Sequence, residues 1–136
     1  MNYSSYSYVL NKLNLVLGKQ KPQVSIKYSK INYTIVYLLY KIGCLNNFVI
    51  YTKKIQNVYQ KLIYFSIFFY KNSPFFKQIK LISSSSKKHT ITYKALKIIN
   101  QSIGSSILLI STSHGLMTHR QALNVKLGGL LIAVLN

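Results

Sequence analysis

The sequence predicts a mixed α/β (α+β) chain built from two small packed subdomains. Three observations carry that prediction. In the first half, segments with apolar residues at helical spacing alternate with segments that are β-branched, aromatic or alternating, in the order αβαββ. The turn Asn72-Ser73-Pro74 follows and is the strongest boundary signal in the chain. Beyond it the elements are mostly short strands with two short helices among them. The expected subdomains are therefore residues 1–72, αβαββ, and residues 73–136, β-rich. With 136 residues, 49% of them hydrophobic, the chain can bury a core for both.

The first element is a helix over residues 6–17, where Tyr6, Val9, Leu10, Leu13, Val16 and Leu17 repeat at helical spacing. Ser4 or Ser5 is expected to cap its start and Gly18 to end it. Residues 24–28 alternate and follow Pro22, as a strand does. A second helix starts at a Ser29 cap, carries Ile31, Ile35, Leu38, Leu39 and Ile42, and stops at Gly43. Residues 48–52 and 62–70 have strand composition, and the lysines and amides between them (Lys53, Lys54, Gln56, Asn57) read as a hairpin connection. After the boundary turn, residues 75–82 are expected as a strand. The serine run 83–86, leading into Lys87-Lys88-His89, reads as a loop. Residues 91–93 are a further strand, 94–101 a short helix, 106–110 a buried strand and 111–115 a loop. Thr118 caps a last helix through Lys126, Gly128-Gly129 breaks it, and residues 130–135 form the final strand.

Charge decides the class of partner. Lys plus Arg number 18 and Asp plus Glu number 0, a formal charge of +18, with Arg120 the one arginine. No side-chain carboxylate exists to pair with a lysine, so the repulsion must be relieved by a polyanion, nucleic acid before an anionic membrane surface. The same absence removes paired-acid, Ser-His-Asp and acidic metal chemistry. His89, His114, His119 and Cys44 do not fall at zinc-motif spacing, and the lone Cys44 reads as a small buried hydrophobe. No enzyme, metal, cofactor or small-molecule substrate is expected. The longest apolar run, residues 62–70, is too short to cross a bilayer and is flanked by Lys61 and Lys71. Residues 1–11 hold no basic residue, so no import sequence is expected. The prevalence of Lys, Asn, Ile, Tyr, Phe and Leu reflects AT-rich codons and suggests an organelle genome.

Residues 111–136, STSHGLMTHRQALNVKLGGLLIAVLN, carry a recognisable pattern. A Ser-Thr-Ser-x-Gly segment, Met-Thr, a short helix, a Gly-Gly pair and a last strand follow one another at defined spacing. This resembles the C-terminal signature of the eighth small-subunit ribosomal protein family, bacterial and organellar type. Gly43-Cys44-Leu45-Asn46-Asn47-Phe48 aligns weakly with that family's turn after its second helix. The resemblance implies a two-subdomain fold that binds the central domain of small-subunit rRNA beside neighbouring small-subunit proteins, and no catalysis. It maps the main RNA contact onto Ser111, Thr112 and Ser113, with Gly115 and Gly129 shaping the backbone. The chain departs from the family at His114, often a lysine there, which weakens a phosphate contact. It departs again at Leu130, where an acidic residue is usual.

Short hydroxyls and backbone N–H groups suit the shallow minor groove of structured RNA, while lysines add affinity by counterion release. Replacing Thr112 and Ser113 is expected to spare the fold, since no core volume is lost. Arg120, near a helix start, suits a phosphate clamp, and Lys126 is the only other basic residue after residue 98. Lys87 and Lys88 form a further phosphate-binding candidate, with Lys53-Lys54 and Lys19-Lys21 as similar clusters. A mitochondrial ribosome is the expected setting, with the plastid as alternative. Two other readings stay open: a free RNA-binding or RNA-chaperone protein, and a basic peripheral membrane protein.

Overall fold

The structure, a computed structural model, describes residues 3–18, 23–71, 73–74, 76–84 and 86–136. Pro22, the Lys19-Lys21 pair, Asn72, Phe75 and Ser85 lie outside the described residues. The chain divides into two compact units. One is Tyr8–Lys77; the other is Gln78–Asn136 together with the residues up to Ser7.

The first unit follows the expected αβαββ order. Helix α1, Tyr3–Gly18, begins ahead of the serines expected to cap it. Strand β1, Gln23–Lys27, leads to helix α2, Lys30–Ile42. Ser29 caps α2 by accepting the Asn32 N–H at 3.1 Å, and Gly43 closes it in the left-handed region (φ 100). Glycine is required there because the Gly43 and Cys44 N–H groups turn back onto the Tyr40 and Leu39 carbonyls. Strands β2, Leu45–Ile55, and β3, Val58–Ile67, pair antiparallel, and β1 adds to the other edge of β3 in the order β1-β3-β2.

The β2–β3 connection is tighter than expected. Only Gln56 and Asn57, both with positive φ, form the turn, and Lys53 and Lys54 are paired strand residues opposite Gln60 and Tyr59. A two-residue turn of this hand matches the twist of the strands and so extends the ladder to its tip. The expected strand over residues 62–70 breaks at Phe68. Phe69–Tyr70 (β4) instead folds back on Ser73–Pro74 (β5).

In the second unit the order is β6 (Ile79–Leu81), β7 (Thr90–Ile91), α3 (Tyr93–Asn100), β8 (Ile107–Thr112), β9 (Gly115–Thr118), α4 (His119–Asn124) and β10 (Gly129–Leu135). Strand β10 is central, with β6 and β7 along one side and β8, then β9, on the other. The strand expected over 75–82 shortens to β6, because only Ile79–Leu81 finds a partner on β10, opposite Leu135–Ala133. Tyr93 starts α3 under a Thr92 cap instead of ending a strand. Strand β9 was not expected. Its sequence, Gly-Leu-Met-Thr, carries no strand signal, and pairing to β8 makes it one. Helix α4 starts from a Thr118–Gln121 capping box and ends at Asn124, two residues early, as Lys126 turns left-handed (φ 58). Leu96 of α3, Leu108 and Ile110 of β8, Met117 of β9 and Ala122 of α4 form the buried cluster that holds helices to sheet. Among the described residues no helix is long and apolar enough to cross a membrane.

Candidate nucleic-acid interface

The signature residues are built onto one end of the β10-centred sheet. Ser111 and Thr112 are not loop residues, as the sequence suggested, but the buried last two positions of β8. Ser111 faces Leu130 of β10 on one side and Leu116 of β9 on the other. The turn itself is Ser113-His114, both exposed, and Gly115 completes the reversal at φ 105. The Thr112 hydroxyl is spent inside the turn. It donates to the Gly115 carbonyl at 2.9 Å and accepts the His114 N–H at 3.1 Å. Of the three hydroxyls expected at the contact, Ser113 is the exposed one.

The Gly-Gly pair explains how this end closes. A methyl on Gly129 would drive into the Ser111 carbonyl oxygen and lie 3.1 Å from Ile110 Cγ2. One on Gly128 would strike the Ile91 carbonyl oxygen and come within 2.9 Å of both Thr92 Cα and the Tyr93 N. The contacts with the two carbonyl oxygens are closer than a Cβ tolerates, so β10 can start between β8 and the head of α3 only through glycine. The β8–β9 turn, the Gly128-Gly129 entry and the Thr92-Tyr93 start of α3 thus share one sheet end. Lys126, exposed, precedes the glycines by two residues.

The other candidate cations stand apart. Arg120 is exposed on α4, just after Thr118, which pairs with Leu109, three rungs from the Thr112–Gly115 pair and roughly 10 Å along the strand. Lys87 and Lys88 are exposed on the loop that reaches β10 from the β7 side, across from β8. The histidines do not converge either. His114 is exposed, whereas His119 is 1% exposed and its Nδ1 accepts the Leu108 N–H at 3.1 Å. Burial, then the neighbouring Arg120 charge, holds His119 below its ordinary pKa, so it is a neutral structural imidazole. Burial pushes the Cys44 thiol up to about 12, which leaves it inert. Among the described residues no group of three or more His, Cys, Asp or Glu could hold a metal ion.

Sequence reasoning passed over two features of this region. Ser83 is buried, and its hydroxyl bonds both to His89, on the chain entering β7, and to β10, although the serine run read as plain loop. Thr92-Tyr93 belongs to the same sheet end as the signature, and the only sequence signal for that was the Gly-Gly pair that packs on it.

The sequence is similar to those of known proteins. The sequence model of the family described as ribosomal protein S8 matches residues 7–135. The small ribosomal subunit protein uS8 of Borrelia turicatae (strain 91E135) is 31% identical over 124 residues, 91% of this chain and 90% of the relative. That of Borrelia duttonii (strain Ly) is 33% identical over 125 residues, with the same coverage. The small ribosomal subunit protein uS8m of Acanthamoeba castellanii is 27% identical over 114 residues, 84% of each chain. Fold and matches together define a structural, non-enzymatic protein of the small ribosomal subunit. The chain belongs to the ribosomal protein S8 family.

Proposed function

We propose that this protein binds the central domain of small-subunit rRNA in an organellar ribosome, mitochondrial before plastid, and so supports subunit assembly and translation. Residues 73–136 carry the main contact in this reading. The observation that carries it is the sheet end described above: an exposed Ser113-His114 turn on a buried strand, beside a backbone that only glycine allows to pack so closely. Such a surface offers hydroxyls and N–H groups to the sugar edge of a folded RNA without long side chains holding it off. Lys126, Arg120, Lys87 and Lys88 supply phosphate attraction around it, and neighbouring small-subunit proteins are the further partners. The likeness to a mitochondrial uS8m and the AT-rich codon composition both support the organellar setting.

Sedimentation of a tagged copy through a sucrose gradient tests this. The protein is expected with the organelle's small ribosomal subunits, with nucleotides of the rRNA central domain protected from chemical probes. RNA-bound protein confined to the top of the gradient would instead identify a free RNA-binding protein. Flotation with anionic liposomes, with no RNA protected, would identify a membrane-surface protein.

A further inference from the structure

The loop that carries Lys87 and Lys88 is closed at its neck by one buried hydroxyl. The chain leaves β10 after Ile82, whose N–H bonds the Ile132 carbonyl at 3.0 Å, and returns at His89, whose carbonyl accepts the Leu131 N–H at 2.8 Å. On the edge of β10 that faces this loop, β7 pairs up to Leu130 and β6 only from Ala133. Leu131 therefore lies in the gap between the two ladders. Ser83, 6% exposed, fills the gap: its hydroxyl donates to the Leu131 carbonyl and accepts the His89 N–H at 3.0 Å. Both polar groups of Leu131 are thus engaged by the loop's two ends, and Ser83 joins those ends to each other.

A second closure lies further out. The Ser84 N–H donates to the Lys87 carbonyl at 2.8 Å, and the Ser84 hydroxyl accepts the Lys87 N–H at 3.1 Å. Among its described residues no apolar side chain anchors this loop. Every described residue from Ser84 to His89 is exposed, and the serine hydroxyls join these backbone bonds in giving the chain under Lys87 and Lys88 a defined path.

We infer that Ser83 is a positioning residue for RNA binding, its hydroxyl closing the neck of the 83–89 loop and thereby aiming Lys87 and Lys88 at phosphates. The inference rests on the proposed rRNA-binding function. A flexible lysine contacts phosphate from many loop conformations but loses entropy in each, so a fixed backbone raises its contribution to affinity.

The test uses the full-length protein and a central-domain fragment of small-subunit rRNA, with affinity measured across a salt series. Ser83→Ala should weaken binding about three- to tenfold, the effect of a lost hydrogen bond read through the loop. It should also flatten the salt slope toward that of the Lys87→Ala/Lys88→Ala variant, which drops by up to about two units. In that lysine-free background Ser83→Ala should change nothing further, because there is no charge left to aim. Ser84→Ala, at an exposed position, should give a smaller loss with an unchanged thermal melt, so the inference does not depend on how Ser83→Ala folds.

Additive losses with an unchanged slope would make Ser83 merely structural and overturn the inference. So would a lysine pair whose removal alters neither affinity nor slope, and the Ser113 turn would then still stand as the contact. Failure of the unaltered protein to prefer the rRNA fragment over random RNA would overturn the function itself.

Discussion

Thr112 and Ser113 are adjacent hydroxyls with different roles. The Thr112 hydroxyl bonds the Gly115 carbonyl and the His114 N–H and is buried, so it shapes the turn. Ser113 is exposed at the tip. The expectation that both could be replaced without touching the fold is therefore kept as a prediction for Ser113 and dropped for Thr112. Ser113→Ala should leave the melt unchanged and weaken cognate rRNA binding by about 0.5–1.5 kcal/mol, without affecting random RNA. Thr112→Ala should lower stability by about 1–3 kcal/mol, since two part-buried hydrogen bonds of the turn, worth about 0.5–1.5 kcal/mol each, are lost. Parallel melts and affinities for the two single variants separate these roles. His119 makes a second prediction. Its pKa is lowered in the folded state, so between that value and the ordinary one near 6.5 the unfolded chain binds more protons. Stability is complete above about pH 6.5 and should fall as pH drops below it, by up to about 1.4 kcal/mol per pH unit. Denaturant melts from pH 7.5 to 5 should show that decline, and His119→Gln should flatten it.

Among the elements, the start of β10 is the most constrained. Gly129 sits opposite Ile91, with the Ser111 carbonyl where its Cβ would go, and backbone cannot yield as a flexible side chain could. Gly129→Ala should therefore destabilise the second unit by about 1–3 kcal/mol, as overpacking does, and spoil the proposed RNA surface beside it. Thermal unfolding with hydrogen exchange at Ile91 and Ser111 reads both effects; an unshifted melt with native protection would contradict the close approach. Helix boundaries were legible at three caps, since Ser29, Gly43 and Thr118 each do in the structure what their residue types imply, but not at Ser4 or Ser5, because α1 already begins at Tyr3. Strands were less legible. Strand β9 has no β-branched run and exists because β8 offers it an edge, while the reach of β2 to Ile55 was hidden by two lysines.

At the level of the whole molecule, +18 with no acidic residue leaves lysines to find other company. In the first unit they rest on tyrosine rings: Lys61 lies 4.3 Å from the Tyr28 centroid and Lys41 5.3 Å from that of Tyr37. Such exposed pairs contribute about 0.5–1 kcal/mol each and do not cancel the repulsion. The RNA-free protein should accordingly melt at a higher temperature as salt is raised, and higher again with cognate rRNA at low salt. If about 6–10 phosphates are neutralised, affinity should fall by roughly 10³–10⁵ between 50 and 200 mM salt. Calorimetry and binding titrations over that range decide both. A salt-independent melt that rRNA leaves unmoved would mean the charge is carried for another reason.

The sequence by itself determined that the partner must be polyanionic, because net charge is a sum over residues that folding cannot alter. It also determined most helices, because periodicity and caps act within a few residues of chain. The C-terminal motif was readable for the same reason: its glycines and hydroxyls are close along the chain. Only the tertiary structure decided that Thr112 is used internally while Ser113 is presented, that Arg120 stands rungs away from the turn, and that Ser83 closes a loop against Leu131. Each of those depends on a partner from another strand, with 48 positions separating Ser83 from Leu131, and no local pattern records which strands will meet.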